Sequence, residues 1–152
     1  MIMETLGNDS RFQLTIVGHN GTSANIPLVD ASIPLNESTQ LKVLESMVAH
    51  TQYTYAGDRT LEAIDSAVSD ANAGDLVLIV SDANLKRYRI KPNHISSKLG
   101  RTDVYSHMIL IGSIGEEAKA LAKAIPNERA QVCFDTSQLP GMIKTIVVGA
   151  VE

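Results

Sequence analysis

Asp82 follows an unbroken apolar run at residues 76–80, in the order Val80-Ser81-Asp82-Ala83-Asn84. A carboxylate at the end of a strand has two uses. Its oxygens suit a hard divalent cation, directly or through water. They also accept a backbone N–H two residues on and close an Asx turn. Thr60 poses a similar choice, because it follows Ala56-Gly57-Asp58-Arg59 and begins a segment of helical period. Its hydroxyl either caps that helix or faces a ligand. Asp58 and Asn84 stand beside these two residues as further oxygen donors. His19 and Asn20, in Gly18-His19-Asn20-Gly21, are candidate contacts on the same rim, and His19 reads equally well as a packing or solvent-exposed residue.

Other chemistry finds little support. His50, His94 and His107 have no ligand spacing with one another or with Cys133, which argues against a zinc cluster. The chain has no Gly-x-Ser-x-Gly elbow, no Walker-type phosphate loop and no Gly-x-Gly-x-x-Gly fingerprint, so no catalytic or cofactor-binding residue is assigned. Gly112-Ser113-Ile114-Gly115 precedes a helical segment and superficially suits a phosphate. Glu45, Glu62, Glu116 and Glu117 read as solvated helix faces.

These residues need a scaffold that gathers strand ends. Residues 11–17 alternate Phe12, Leu14 and Ile16 with Gln13 and Thr15, the pattern of a half-buried strand. A turn-rich stretch separates it from residues 26–29, which predicts a tight hairpin and an antiparallel edge. Leu41, Leu44 and Val48 recur at helical spacing, with Asn36 or Ser38 as N-cap. A second helix carries Leu61, Ile64, Val68 and Ala71 on one face. The apolar runs at 76–80 and 108–111 lack polar alternation, which predicts parallel strands covered on both faces, 76–80 being the longest and most buried. Helices are expected near 94–99, over 116–125 up to Pro126, and over 137–148 with Pro140 in the first turn; residues 131–134 make a further strand. Strands alternating with helices give right-handed crossovers, and ligands bind beyond the carboxyl ends of such strands.

Composition narrows the class. A chain of 152 residues suits one domain, and 44% apolar residues suit a globular core. No run of apolar residues is long enough for a membrane-spanning helix, and the first residues lack the features of a signal or transit peptide. One cysteine fits a reducing, intracellular compartment. A net charge of −4, 4% aromatic residues and no basic cluster argue against nucleic acid.

Five blocks, in order, carry a family likeness: Phe12-Gln-Leu-Thr-Ile-Val-Gly-His-Asn-Gly21, Ala56-Gly-Asp-Arg-Thr-Leu-Glu62, Val80-Ser-Asp-Ala-Asn-Leu-Lys-Arg-Tyr88, Ile109-Leu-Ile-Gly-Ser-Ile-Gly115 and Asp135-Thr-Ser-Gln-Leu-Pro140. Together they resemble a von Willebrand factor A-type domain, in the form that ends a large AAA-type ATPase. The likeness covers nearly the whole chain. It implies a metal-ion-dependent adhesion site made of an Asp-x-Ser-x-Ser loop after the first strand, a threonine before a later helix and an aspartate after the fourth strand. Thr60 and Asp82 match the last two. The first element is absent: Asp30-Ala31-Ser32-Ile33-Pro34 begins like it, ends in Ile-Pro and follows the edge strand, which makes it a decoy. The chain is therefore expected to start inside the family's first helix, with residues 1–6 as a remnant and the central first strand upstream.

The resulting expectation is an α/β domain over residues 1–152, doubly wound and Rossmann-like, with a mostly parallel sheet and an antiparallel edge strand, N-terminally truncated. Thr60 and Asp82 are expected to share one rim, with His19 or Asn20 nearby. Mg²⁺ is expected to bind weakly or not at all, since two side chains leave most of its six oxygen positions to water. Without the central strand, the strands at 12–17 and 76–80 pair with each other or leave an unpaired edge for self-association. The function expected is a protein-interaction module with an unidentified protein partner, no nucleic acid and no membrane. It is not an enzyme on this chain, and the resemblance places ATP hydrolysis upstream and the protein in mitochondria. Three alternatives stay open. One is a phosphoacceptor domain built on Asp82 and Ser113, which would need an acidic pair and a lysine that the pattern does not supply. The others are a Rossmann-like small-molecule or nucleotide-binding domain at 112–115, and a folded remnant without ligand.

Overall fold

Apolar and β-branched residues at two short stretches pair first along the chain. In the computed structural model, which describes residues 12–51, 57–82, 84–112 and 115–151, β1 (Ile16–Gly18) lies antiparallel to β2 (Ile26–Val29). Ile16 stands opposite Val29, Val17 opposite Pro27 and Gly18 opposite Ile26, with an irregularity between Ile16 and Val17. The expected antiparallel edge is present, but shorter than the alternation predicted. Residues 12–15 form no strand, and Arg11 and residues 1–6 lie outside the described residues. The connection over residues 19–25 is not a tight two-residue turn. Asn20 organises it: its Oδ1 accepts from Thr22 N at 2.9 Å, from Thr22 Oγ1 at 2.9 Å and from Ser23 N at 2.8 Å.

α1 (Glu37–Thr51) is capped by Asn36, whose Oδ1 accepts from Thr39 N at 3.0 Å, and it packs on β2. Val43 is the residue it buries. The periodic stripe points the other way, with Leu41 57%, Leu44 54% and Val48 58% exposed. α2 (Thr60–Asp70) buries Ile64 and Val68, as its period predicts, with Leu61 half-buried beside them.

The chain divides into two compact units, Met1–Ala63 and Ile64–Glu152. In the second unit, β3 (Leu76–Ser81), α3 (Pro92–Lys98), β4 (Tyr105–Ile111), α4 (Gly115–Ala124), β5 (Ala130–Cys133) and α5 (Leu139–Val151) alternate. The sheet runs β3-β4-β5 and is parallel throughout, with Leu76 opposite Tyr105 and Met108 opposite Ala130. Each parallel pair is joined through a helix, as the sequence pattern requires. This is the expected α/β, Rossmann-like architecture, a parallel sheet in the second unit and an antiparallel pair in the first. Pro126 follows α4, and Pro140 sits in the first turn of α5, where its missing N–H removes no helix bond.

β4 is the centre of this sheet. Met108, Ile109 and Leu110 are each 0% exposed, and successive strand residues point to opposite faces, so both faces are covered. The expectation that residues 76–80 form the longest, most buried strand is corrected. β4 is the longer, and β3 is half-buried, with Val80 37% exposed. Among the described residues β3 pairs with β4 alone, so one side of its ladder and part of each face lack the neighbours that bury β4. Arg101 closes the far end of α2, donating from Nη1 to Val68 O at 2.7 Å and Ala71 O at 2.8 Å. No helix among the described residues is long and apolar enough to cross a membrane.

Candidate ligand-binding loops

The approach to Thr60 is built from a glycine and an aspartate. Gly57 has φ of 121°, a conformation open to glycine and strained for L side chains. A Cβ at Gly57 would stand 3.6 Å from Gly21 O, so this loop lies against the loop after β1. Asp58 Oδ1 then accepts from Thr60 N at 2.6 Å, while Ala63 N donates to Arg59 O at 2.9 Å. The cap therefore comes from Asp58, and Thr60 is not the capping residue. Thr60 is only 1% exposed, and its Oγ1 has no hydrogen-bond partner among the described residues. Leaving a buried hydroxyl unsatisfied costs about 1–3 kcal/mol.

On the facing loop, His19 Nδ1 is likewise buried without a partner among the described residues. Asn20 spends its carbonyl on the turn and donates from Nδ2 to His50 O at 3.3 Å, which ties the loop to the last turn of α1. Its role is local architecture. After β2, Asp30 Oδ1 accepts from Ser32 N at 2.8 Å, and the hydrogen bonds of Ser32 hold the Asp30 carboxyl below its usual range. Asp30-Ala31-Ser32 is thus a closed surface turn. A cavity of 240 Å³ beside it is lined by Phe12, Leu14, Ser32, Ile33 and neighbours, with no acid or base.

In the second unit Asp82 is exposed, and its Oδ1 accepts from Asn84 N at 3.1 Å. That is the Asx turn of the alternative reading, and it occupies one carboxylate oxygen. The structure thus groups Thr60 with Asp58 and the His19–Asn20 loop within the first unit. Within the second it groups Asp82 with Asn84. Among the described residues, no three His, Cys, Asp or Glu side chains form a metal-binding cluster.

Ser113 and Ile114, which carried the phosphate reading together with the glycines, lie outside the described residues. Gly112 itself is explained by packing: a Cβ there would meet Ala118 Cβ at 2.9 Å, so its absence lets α4 approach. Exposed Glu116 and Glu117 in the first turn of α4 oppose an anion at that end. On β4, His107 Nε2 is buried without a partner among the described residues, and burial pushes its pKa down.

One feature went unseen in the sequence reading, which found no basic cluster. Lys86, Arg87, Arg89 and Lys91 are four of the chain's 13 basic residues, and all four are exposed on the turn after Asn84. Counting charge in short windows, rather than over the chain, would have found it.

No protein-family model matches the chain, and no solved structure matches it. The chain is 35% identical to von Willebrand factor A domain-containing protein 8 of Mus musculus, over 96% of this chain and 8% of that protein. The chain therefore spans about 8% of the length of this curated relative. The likeness first carried by the five sequence blocks thus extends along almost the whole chain, which resembles a von Willebrand factor A-type domain.

Proposed function

We propose that this chain is a protein-interaction module of von Willebrand factor A type, its two units being parts of one domain. The observation that carries the reading is Thr60. Thr60 is 1% exposed, and its hydroxyl, without a partner among the described residues, sits at the start of a helix whose cap is supplied by another residue. Buried polar groups are nearly always satisfied, so an unspent hydroxyl marks a place kept for a ligand. The likeness to a von Willebrand factor A domain-containing protein supports the module class.

Thr60 and Asp82 are, on that likeness, the two side chains this chain contributes to a divalent-cation site. They supply too few oxygens for tight Mg²⁺ binding, since the ion takes six and dehydrates reluctantly. Asp58 is spent on the helix cap and Asn20 on its own turn. Asn84 and His19 remain as further contacts. The cation, when bound, would supply positive charge for a partner's oxygen atoms. No catalytic role falls to these residues; ATP hydrolysis and mitochondrial location, as the likeness suggests them, concern a larger protein. The β3 edge, apolar from Leu76 to Val80, provides for self-association by strand pairing.

Thermal melts with added Mg²⁺ or Mn²⁺ test the cation site. The melting temperature should rise only at concentrations on the order of millimolar, the range of weak oxygen sites. Thr60→Val and Asp82→Asn should each remove that rise. Saturation of a monomer at micromolar Mg²⁺ would show that the chain holds a complete site. A rise that survives both substitutions would place the ion elsewhere.

A further inference from the structure

The turn after β3 concentrates positive charge on a chain whose net charge is −4. Its scaffold is firm. Leu85 is 1% exposed and anchors it, Tyr88 N and Ile90 N both donate to Leu85 O at 3.1 Å, and Arg89 N donates to Lys86 O at 3.0 Å. Only one of its four cations is neutralised among the described residues: Lys86 Nζ meets Glu117 Oε1 at 2.8 Å. Arg87 lies over the Tyr88 ring, 5.9 Å from its centroid, and has no ion pair among the described residues. Arg89 and Lys91 make none either among the described residues, and the first turn of α3, which follows Lys91, carries no acid. Arg89 also holds φ of 59°, a left-handed conformation in which glycine would sit without strain. A cation thus occupies a position where the backbone would favour glycine.

We propose that residues 86–91 are the docking site for an acidic segment of a protein partner, with Arg87, Arg89 and Lys91 holding its carboxylates and Tyr88 packing against its apolar side chains. The turn follows the carboxyl end of β3, the side of a parallel sheet where ligands bind. Guanidinium forks match carboxylates in a two-point geometry, and the exposed Tyr88 ring under Arg87 adds a flat apolar surface. A polyphosphate needs a longer positive track than six residues supply, which favours a short acidic segment over nucleic acid. This inference rests on the reading of the chain as an interaction module, and it is independent of any cation at Thr60 or Asp82.

Fluorescence anisotropy with a labelled Glu-rich peptide carrying one phenylalanine tests it on the full chain. The wild-type chain should bind, less tightly as salt rises. The triple variant Arg87→Gln, Arg89→Gln, Lys91→Gln should lose about tenfold or more in affinity, as neutralising close charge pairs does. A matched triple elsewhere, Lys42→Gln, Lys123→Gln, Lys144→Gln, should lose less than about twofold, the range of remote surface charges. Tyr88→Ala, which keeps every charge, should weaken binding about threefold or more, as loss of an aromatic anchor does. Chelating divalent ions with EDTA should leave peptide binding unchanged. No binding by the wild-type chain, equal losses in the two triples, or loss of binding on chelation would overturn the proposal. So would tighter binding of a single-stranded RNA oligonucleotide or of phosphatidylserine vesicles than of the peptide.

Discussion

β3 and β4 are neighbours in one sheet, Leu-Val-Leu-Ile-Val-Ser against Tyr-Ser-His-Met-Ile-Leu-Ile. By composition β3 is the more apolar. Yet Met108, Ile109 and Leu110 of β4 are fully buried, and the β3 residues are half-buried, with Val80 open to solvent. The difference is one of position. β4 has a strand on each side and cover on both faces, while among the described residues β3 has β4 alone. An unbroken apolar run therefore states what a strand is able to bury, and the sheet decides how much of it is buried. Natural edge strands usually carry charge or proline, and Leu76 to Val80 carries neither. That absence marks β3 as a strand suited to a neighbour.

The largest test of this contrast is a matched pair of truncations. Leu110→Ala, in the buried centre of β4, should cost about 2–5 kcal/mol in urea unfolding, the cost of a core cavity. Leu78→Ala, half-buried in β3, should cost less than about half of that, in proportion to the smaller area it removes from water. Equal costs would mean that β3 is covered in solution and would break the comparison. Next comes the end of β4. Gly112→Ala forces a methyl into Ala118 and should destabilise the chain by about 1–3 kcal/mol, as overpacking does. An unchanged melting temperature would show that α4 yields freely.

A smaller effect on stability is expected at the β3 edge. Val80→Lys should change stability by no more than about 0.5 kcal/mol, as exposed positions do. It should nevertheless lower any self-association seen by sedimentation, because a lysine opposes strand pairing. Association that is indifferent to this change would remove β3 from the interface. The smallest effect falls where the two strands begin. Arg101 caps α2 and pairs with Asp103 at 2.6 Å, and its guanidinium holds the Asp103 carboxyl below the ordinary value of 3.8. A lowered folded pKa means that this contribution is complete above pH 3.8 and is lost as the pH falls through the lower folded value. Asp103→Asn should flatten that acid limb of the stability profile slightly. A wild-type profile that rises toward acid in this window would reverse the sign and refute the pairing.

Much of the scaffold was legible because its signals are local. The alternation of apolar runs with helical periods announced the parallel sheet of the second unit, and Asn36 announced the start of α1. The antiparallel partner at Ile26–Val29 was legible as well, though not the length of its connection, which depends on how Asn20 spends its side chain. The site was less legible. Thr60 was found by motif, but its helix cap came from Asp58, two residues earlier and equally able to accept an N–H. The turn at residues 86–91 escaped notice because the charge of the whole chain is negative.

The sequence by itself determined the order and type of the elements and the likeness to a von Willebrand factor A-type domain, and left Asp82 open between an Asx turn and a cation ligand. These depend on residues within a few positions of one another, where backbone geometry and side-chain period act directly. Tertiary structure decided which apolar faces are buried. It turned the Leu41, Leu44 and Val48 stripe of α1 outward, left β3 half-covered, and enclosed the Thr60 hydroxyl without a partner among the described residues. Burial is set by distant chain segments that no local pattern encodes, so the same apolar period serves a core face or an open one according to what packs against it.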